Sequence, residues 1–163
     1  MVKSSTPKPR VRVQVEDFDV STEIAELRAC QAAVGAVCAF MGTVRDNSGA
    51  SVLGMELEHY PGMTEKAIEA MIDAALARFD ILDARVVHRV GSLAPTEPIV
   101  LVVVTSAHRH AAFQACEFLM DYLKTQAPFW KKEHGPQGAQ WVDARVADDA
   151  ALQRWGIVST NAL

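Results

Sequence analysis

Residues 121–133 read Asp-Tyr-Leu-Lys-Thr-Gln-Ala-Pro-Phe-Trp-Lys-Lys-Glu, a helical pattern that runs directly into a proline. Because proline cannot continue a helix and favours extended geometry in the residue before it, we expect the chain to turn just ahead of Pro128. The turn would bring two lysines that are seven positions apart, Lys124 and Lys131, toward one place. The aromatic pair Phe129 and Trp130 would then fix the turn to the core.

The lysines of this stretch have two interpretations. In the first, Lys124 and Lys131 face one pocket, where they repel each other, lower each other's proton affinity and attract an anion. In the second, Lys124 is an ordinary cation at the C-terminus of a helix, and Lys131 and Lys132 are solvated. Spacing alone leaves both interpretations open.

The composition is that of one soluble globular domain. The chain has 163 residues, of which 50% are hydrophobic and 22% are charged, and this length is sufficient to bury a core. We expect a flexible N-terminal tail at 1–9, a single domain at 10–155 and a C-terminal tail at 156–163. The formal net charge of −4 argues against a nucleic-acid binder, which needs a basic excess. No membrane span is expected either, since the longest apolar run, 99–104, is too short.

The three cysteines, Cys30, Cys38 and Cys116, are scattered and odd in number. This pattern favours reduced thiols in a cytoplasmic protein over a disulfide framework or a zinc site. Cys116 falls on an apolar helical face, so we interpret it as a packing residue and not as a nucleophile. The histidines show no ligand spacing, and no metal is expected.

Hydrophobic periodicity predicts a succession of strands and helices. Strands are expected at 11–15, 36–45, 52–60, 84–90 and 98–106, with short strands at 129–133 and 140–145, a turn at 46–49, a connecting loop at 91–98, and helices at 21–33, 64–79, 108–126 and 148–155. Ser21 and Thr64 are the candidate caps of the first two helices, and Phe113 is expected on the buried face of the third, with Cys116. Paired strands between helices favour an α+β fold with a mainly antiparallel sheet and packed helices.

Three basic residues outside the opening stretch are candidate site residues. Arg45 ends a buried strand before a glycine-containing loop, and it is either a pocket residue or a surface arginine on a hairpin. His108 and Arg109 stand where the third helix begins, and the start of a helix with an arginine fork suits a phosphate. A cation there is otherwise unfavourable, and this conflict with the helix dipole favours a binding role. His88, on a predicted strand, is interpreted as a packed core histidine.

The length of the third helix separates two groups of candidates. Arg109 and Lys124 are 15 residues apart, which corresponds to about 22 Å at 1.5 Å per residue. They cannot share a small pocket within one chain. Either they serve two sites, or the site forms where two copies meet, which predicts a dimer.

Six segments of the chain together resemble the catalytic (large) subunit of molybdopterin synthase. They span about residues 35 to 145 in the family's order, and the last two are the most specific. They are Phe-Met-Gly-Thr-Val-Arg-Asp at 40–46, Leu-Glu-His-Tyr-Pro-Gly-Met at 57–63, His-Arg-Val-Gly at 88–91, Ser-Ala-His-Arg at 106–109, Met-Asp-Tyr-Leu-Lys-Thr at 120–125 and Ala-Pro-Phe-Trp-Lys-Lys-Glu at 127–133.

The resemblance implies an α/β hammerhead-type fold and an enzyme that converts cyclic pyranopterin monophosphate (precursor Z) into molybdopterin by inserting the dithiolene sulfurs. The sulfur arrives as a thiocarboxylate on the C-terminal Gly-Gly of a small ubiquitin-like sulfur-carrier subunit, whose tail enters a pocket of the large subunit. Two large and two small subunits form a heterotetramer around a large-subunit dimer. No cofactor is implied.

Carried over position by position, the resemblance implies that Lys124 and Lys131 are catalytic. The implied substrate-binding residues are Thr43, Val44, Arg45, His108, Arg109, Lys124, Lys131, Lys132 and Glu133. The family sets the pair at the helix start against the pterin phosphate across the dimer, in agreement with the separation along the third helix. The chain departs from the family at Thr96, where many relatives have glycine, which leaves the conformation of that loop open. A non-catalytic α+β module that binds an anion or a peptide tail is the alternative function.

Overall fold

The computed structural model describes residues 8–29, 31–46, 53–142 and 146–158. Expectations for Cys30, for the turn at 47–49, for the end of the last strand at 143–145 and for tail residues 1–7 and 159–163 lie outside the described residues. The elements are β1 Val11–Gln14, α1 Val20–Arg28, β2 Ala36–Thr43, β3 Gly54–His59, α2 Met63–Arg78, β4 Asp83–Arg89, β5 Gly91–Leu93, β6 Pro98–Ser106, α3 Arg109–Gln126, β7 Phe129–Gly135, β8 Gly138–Val142 and α4 Val146–Gln153.

Within the described part of the chain, the strands form two four-stranded sheets, with the strand orders β1-β4-β6-β2 and β5-β3-β7-β8. β1 and β4 pair in parallel, and the other paired strands run antiparallel. The predicted α+β fold with a mainly antiparallel arrangement is therefore confirmed, with the strands divided between two sheets. Across the described ranges, no helix is long and apolar enough to cross a bilayer.

Helices cover the first sheet on both faces. Successive residues of a strand point to opposite faces, so Val86 of β4 packs in the core formed with α2 and α3, while Val87 packs against Leu27 of α1. Because both faces are covered, β6 is buried from Val100 to Ser106. This explains why its sequence is a nearly unbroken apolar run instead of an alternating one.

The first helix begins and ends earlier than predicted. Its cap is Asp19 and not Ser21: the Asp19 carboxylate accepts a hydrogen bond from the backbone N–H of Thr22 at 2.7 Å, which lowers the pKa of Asp19. The helix ends at Arg28, well before residue 33, because Ala29 adopts an extended conformation with ψ of 131°.

The second helix is also capped by a different residue. Gly62 occupies the cap position with φ of 83°, a left-handed conformation that glycine adopts without steric cost. The Gly62 N–H donates to the Glu65 carboxylate at 2.6 Å. Thr64 lies inside the helix, and its hydroxyl does not cap the helix but donates a hydrogen bond to the Pro128 carbonyl. The buried residues of this helix include Ile68 and Ile72.

One expected core residue of the third helix is on the surface. Phe113 is 64% exposed, while Cys116 is 4% exposed. The residues of α3 that are buried are instead Ala112, Ala115, Cys116, Phe118, Leu119, Leu123 and Thr125. The error arose because residues 113 and 116 are three apart, close enough to count as one face, while the true stripe is centred on Cys116 and Leu119.

A strand that the sequence did not predict joins the two sheets. Residues 91–93 were expected in a loop, but they form β5, which pairs with β3 and sets Leu93 opposite Met55. The chain passes from β4 in the first sheet to β5 in the second within two residues, and Gly91 takes φ of 85° at that bend. A residue with a Cβ atom rarely adopts this conformation.

The expected turn after the third helix is confirmed. α3 ends at Gln126, and Ala127 is extended with ψ of 131°, as the residue before a proline should be. The Pro128 carbonyl accepts a hydrogen bond from the Thr64 hydroxyl at 3.1 Å. The Thr64 oxygen also accepts from the Tyr60 backbone N–H at 3.1 Å, so a single buried side chain ties the start of α2 to the helix break.

Replacing Thr64 with valine should therefore destabilise the fold. The hydroxyl is fully buried, and its loss leaves a carbonyl and an N–H without their partner, at a cost of about 1–3 kcal/mol in the free energy of unfolding. Urea denaturation measures the change. Thr22→Val is the matched control, because the Thr22 side chain is exposed on α1, and equal stability of the two variants would contradict the role given to Thr64.

Candidate functional site

The first lysine lies where a helix and a strand both end. Only two residues connect β6 to α3, and α3 packs on both β6 and β2, so α3 runs back along β6. Because β2 is antiparallel to β6, α3 and β2 run in the same direction. Their C-terminal ends therefore lie at the same side of the sheet, with Lys124 exposed in the last turn of α3 and Thr43 at the end of β2.

The second lysine is on the inner face of the second sheet. β7 pairs with β3 so that Lys131 lies opposite Leu57, and Phe129 lies opposite His59. Directly opposite residues of an antiparallel pair share a face, and Leu57 is buried. The Lys131 ammonium is 2.9 Å from the Glu133 carboxylate, and the two side chains are 33% and 35% exposed. Lys131 and Glu133 thus form a half-buried pair.

Lys132 points to the opposite face. Its ammonium is 3.6 Å from the Glu58 carboxylate and 4.2 Å from the centre of the Trp141 ring. Glu58, His59, Tyr60, Trp130 and Trp141 line a shallow pocket of about 250 Å³ there. Within one chain, the structure therefore separates Lys132 from Lys131, although both were predicted to bind the substrate.

The segment that follows β2 is held by its backbone. Val44 is 2% exposed; its N–H donates to the Glu97 carbonyl at 2.9 Å, and its carbonyl accepts from the Thr96 N–H at 2.7 Å. Thr96 adopts φ of 75°, the left-handed conformation that glycine would adopt without strain. The loop thus reaches this conformation despite having threonine. Val44 is an anchor, and the side chains of its neighbours Thr43 and Arg45 are exposed.

His108 and Arg109 lie at the far end of the same helix. His108 is the N-cap residue of α3, Arg109 is its first residue, and both are exposed. The first turn, which is described throughout, contains no acidic residue. Since α3 is a continuous helix of 18 residues, the structure does not bring this pair near Lys124 within one chain.

A histidine expected in the core, His88, lies near Lys124. The His88 ring stacks on Phe129, with 3.9 Å between ring centroids and an interplanar angle of 19°. Its Nδ1 is 2.8 Å from the Arg89 carbonyl oxygen; since a carbonyl oxygen only accepts, Nδ1 carries the proton and Nε2 is the acceptor. The signal available in the sequence was that His88 belongs to one of the six matching segments.

The surroundings of His88 keep its ring neutral. Burial is the main cause that lowers the pKa of His88, to about 4, and the nearby charges of Lys124 and His59 lower it further, against the hydrogen bond to Arg89. The ring is therefore an uncharged group among cationic and titratable neighbours near neutral pH.

Cys38 and Cys116, the cysteines among the described residues, are not contacts of the two lysines. Cys116 is buried, as expected of a packing residue, and burial together with the neighbouring Cys38 raises the pKa of its thiol. Among the described residues, no group of three or more His, Cys, Asp or Glu side chains is arranged to hold a metal ion.

The neutral state of His88 should make stability depend on pH. In the unfolded chain the imidazole takes up a proton near pH 6.5, whereas in the folded chain it does so only near pH 4. The contribution is fully present above pH 6.5 and is lost as the pH falls to 4, by up to about 3 kcal/mol. Urea denaturation across this range should show a steeper loss for the wild type than for His88→Phe, and identical slopes would contradict the depressed pKa.

Comparison with known proteins identifies the family. The family model described as MoaE protein matches residues 13–126, a range that includes Lys124. The molybdopterin synthase catalytic subunit of Ralstonia nicotianae is 63% identical over 155 residues, covering 94% of this chain and 88% of the relative. That of Pseudomonas aeruginosa is 53% identical over 146 residues, covering 89% and 97%.

A solved structure agrees with the sequence comparisons. The molybdopterin biosynthesis MoaE protein from Burkholderia ambifaria superposes with a TM-score of 0.79 at 55% identity, covering 90% of this chain and 97% of that protein. The fold that carries the two lysines is therefore shared with a solved MoaE protein. The chain belongs to the MoaE protein family, the family of the molybdopterin synthase catalytic subunits.

Proposed function

We propose that this chain catalyses the conversion of precursor Z into molybdopterin, with Lys124 and Lys131 as its catalytic residues. The observation that supports this most directly is the fixed break between the two lysines. Thr64 holds the Pro128 carbonyl, and His88 stacks on Phe129. The geometry that joins the end of α3 to the inner face of β7 is therefore set by packing and not by the lysines themselves.

The two lysines differ in their surroundings, which suggests different tasks. Lys124 is exposed and has no acidic neighbour in the last turn of its helix, so its charge is available to an anion. Lys131 is half-buried and paired with Glu133, a neighbour able to exchange a proton with it. A lysine beside a thiocarboxylate stabilises the charge that develops as sulfur attacks the pterin, and a lysine whose pKa is lowered during the reaction acts as a general acid or base.

The pterin phosphate binds at the start of α3 of a second copy. His108 and Arg109 present a helix N-terminus without competing acidic residues, which suits a phosphate. Among the described strands, β2 is at the edge of its sheet, and Phe40 and Met41 on it are 42% and 45% exposed, as is Phe113 of α3 at 64%. A second copy that packs on this apolar edge in the opposite direction brings its Arg109 toward Lys124 of the first.

The sulfur is delivered by a small ubiquitin-like subunit with a C-terminal Gly-Gly thiocarboxylate. The curated relatives are named as catalytic subunits, a name that implies an assembly. The exposed end of β2, with Thr43 and Arg45, lies at the same side of the sheet as Lys124 and is where an extended tail would enter. The assembly is a heterotetramer around the dimer of this chain. The assembly works in the cytoplasm, where the thiols of Cys38 and Cys116 do not form disulfides. No further cofactor is needed, because the carrier subunit brings the sulfur.

Replacing Lys124 or Lys131 with alanine should reduce dithiolene formation at least about 100-fold, since each lysine acts on charge that develops during the reaction. The assay mixes the protein with precursor Z and the thiocarboxylated small subunit. Lys66→Ala is the matched control, because Lys66 is exposed on α2. Near-normal turnover in both site variants would refute the assignment. Binding of precursor Z by the wild type without product would instead favour the non-catalytic binding module.

A further inference from the structure

We propose that His88 is a positioning residue of the sulfur-transfer site, which sets the relative placement of Lys124 and Lys131 through its stack on Phe129. This inference rests on the proposed function of the two lysines. His88 belongs to β4 of the first sheet, whereas Phe129 and Lys131 belong to β7 of the second. The stack is therefore a direct contact between the two sheets.

The contact acts at the point where the chain between the lysines is least constrained by its own backbone. The helix ends at Gln126, and Ala127 is extended. The Phe129 N–H bonds only two residues back, to the Ala127 carbonyl at 2.9 Å. Over such a short irregular segment, side-chain contacts decide the direction in which β7 leaves the helix. Thr64 holds Pro128 from α2, and His88 holds Phe129 from β4.

The position of Lys131 depends on that of Phe129 because both residues lie on β7. The two residues are two apart on β7, so their side chains point to the same face. They lie opposite His59 and Leu57 of β3, respectively. His59 lies at 6.5 Å from Phe129 between ring centroids, on the side of β3. A shift of the Phe129 ring thus moves the strand that carries Lys131.

A neutral ring is suited to this place. Lys124 is near enough for its charge to lower the pKa of His88, and His59 has the same effect; His59 itself lies 3.6 Å from the Glu65 carboxylate. A cationic side chain at position 88 would add a like charge beside Lys124. Burial keeps the imidazole uncharged, and the hydrogen bond from its Nδ1–H to the Arg89 carbonyl holds it in one orientation, nearly parallel to Phe129.

The alternative is that His88 only fills space in the core. The two roles differ in what a substitution does to each kinetic constant. A filler residue changes the amount of folded protein but not the turnover of each folded molecule. A positioning residue changes kcat, because a displaced catalytic group lowers the rate even when the substrate and the carrier still bind.

The test compares His88→Ala with His88→Phe in the complete assembly with the carrier subunit and precursor Z. The alanine variant should lose kcat about tenfold or more per folded molecule, with little change in KM for either reactant. The phenylalanine variant, which keeps a flat ring on Phe129, should recover most of the rate. Phe79→Ala is the control, since Phe79 packs on Phe118 and Trp155 away from the lysines, and it should lower stability without lowering kcat.

A wild-type kcat in folded His88→Ala would overturn the inference, as would a loss in His88→Phe equal to that in His88→Ala. A second measurement separates this failure from failure of the proposed function. Acetylation of single lysines, followed by mass spectrometry, should show a changed rate at Lys131 relative to Lys66 in His88→Ala, and a return in His88→Phe. Unchanged acetylation would overturn the inference even if the wild type forms no product.

Discussion

The stack of His88 on Phe129 is the contact on which the geometry of the candidate site depends. The two lysines belong to different sheets: Lys124 to the helix packed on the first and Lys131 to a strand of the second. A hydrophobic cluster spans the two sheets, because Met55 and Leu57 of β3 pack with Val44 and Val90, which follow β2 and β4. The proline that ends the helix leaves the short segment before β7 without helical hydrogen bonds. The Thr64 hydroxyl holds Pro128 in that segment, and the His88 ring, packed on the first residue of β7, fixes the direction in which the strand begins.

Two residues near the same junction adopt a positive φ, one a glycine and the other a threonine. Gly91 bends the chain from β4 into β5 with φ of 85°, and Thr96 takes φ of 75° in the loop that fastens Val44. Glycine adopts a positive φ without steric strain, whereas threonine adopts it with backbone strain. The hydrogen bonds between Val44 and the loop offset that cost and hold the end of β2 near Lys124.

Local patterns in the sequence were sufficient to predict those features of the fold that depend on residues close together in the chain. The proline fixed the end of α3, and the apolar run fixed β6, because each acts within a few positions. Features that depend on distant residues were missed. Phe113 reads as a core residue until β2 and β6 define which face of α3 is covered, and β5 is too short to be seen without its partner β3. Lys131 and Lys132 look alike in sequence. Adjacent residues of a strand point to opposite faces, and only the pairing with β3 shows that Lys131 is the one that faces inward.

In the proposed dimer, the lysines of one copy and the start of α3 of the other form one site. Subunits of Lys124→Ala can be mixed with subunits of Arg109→Ala, unfolded and refolded together, and assayed for dithiolene formation. In a shared site, half of the dimers are mixed and each has one intact site of two, so about one quarter of the wild-type activity should return. A mixture no more active than either variant alone would contradict the shared site.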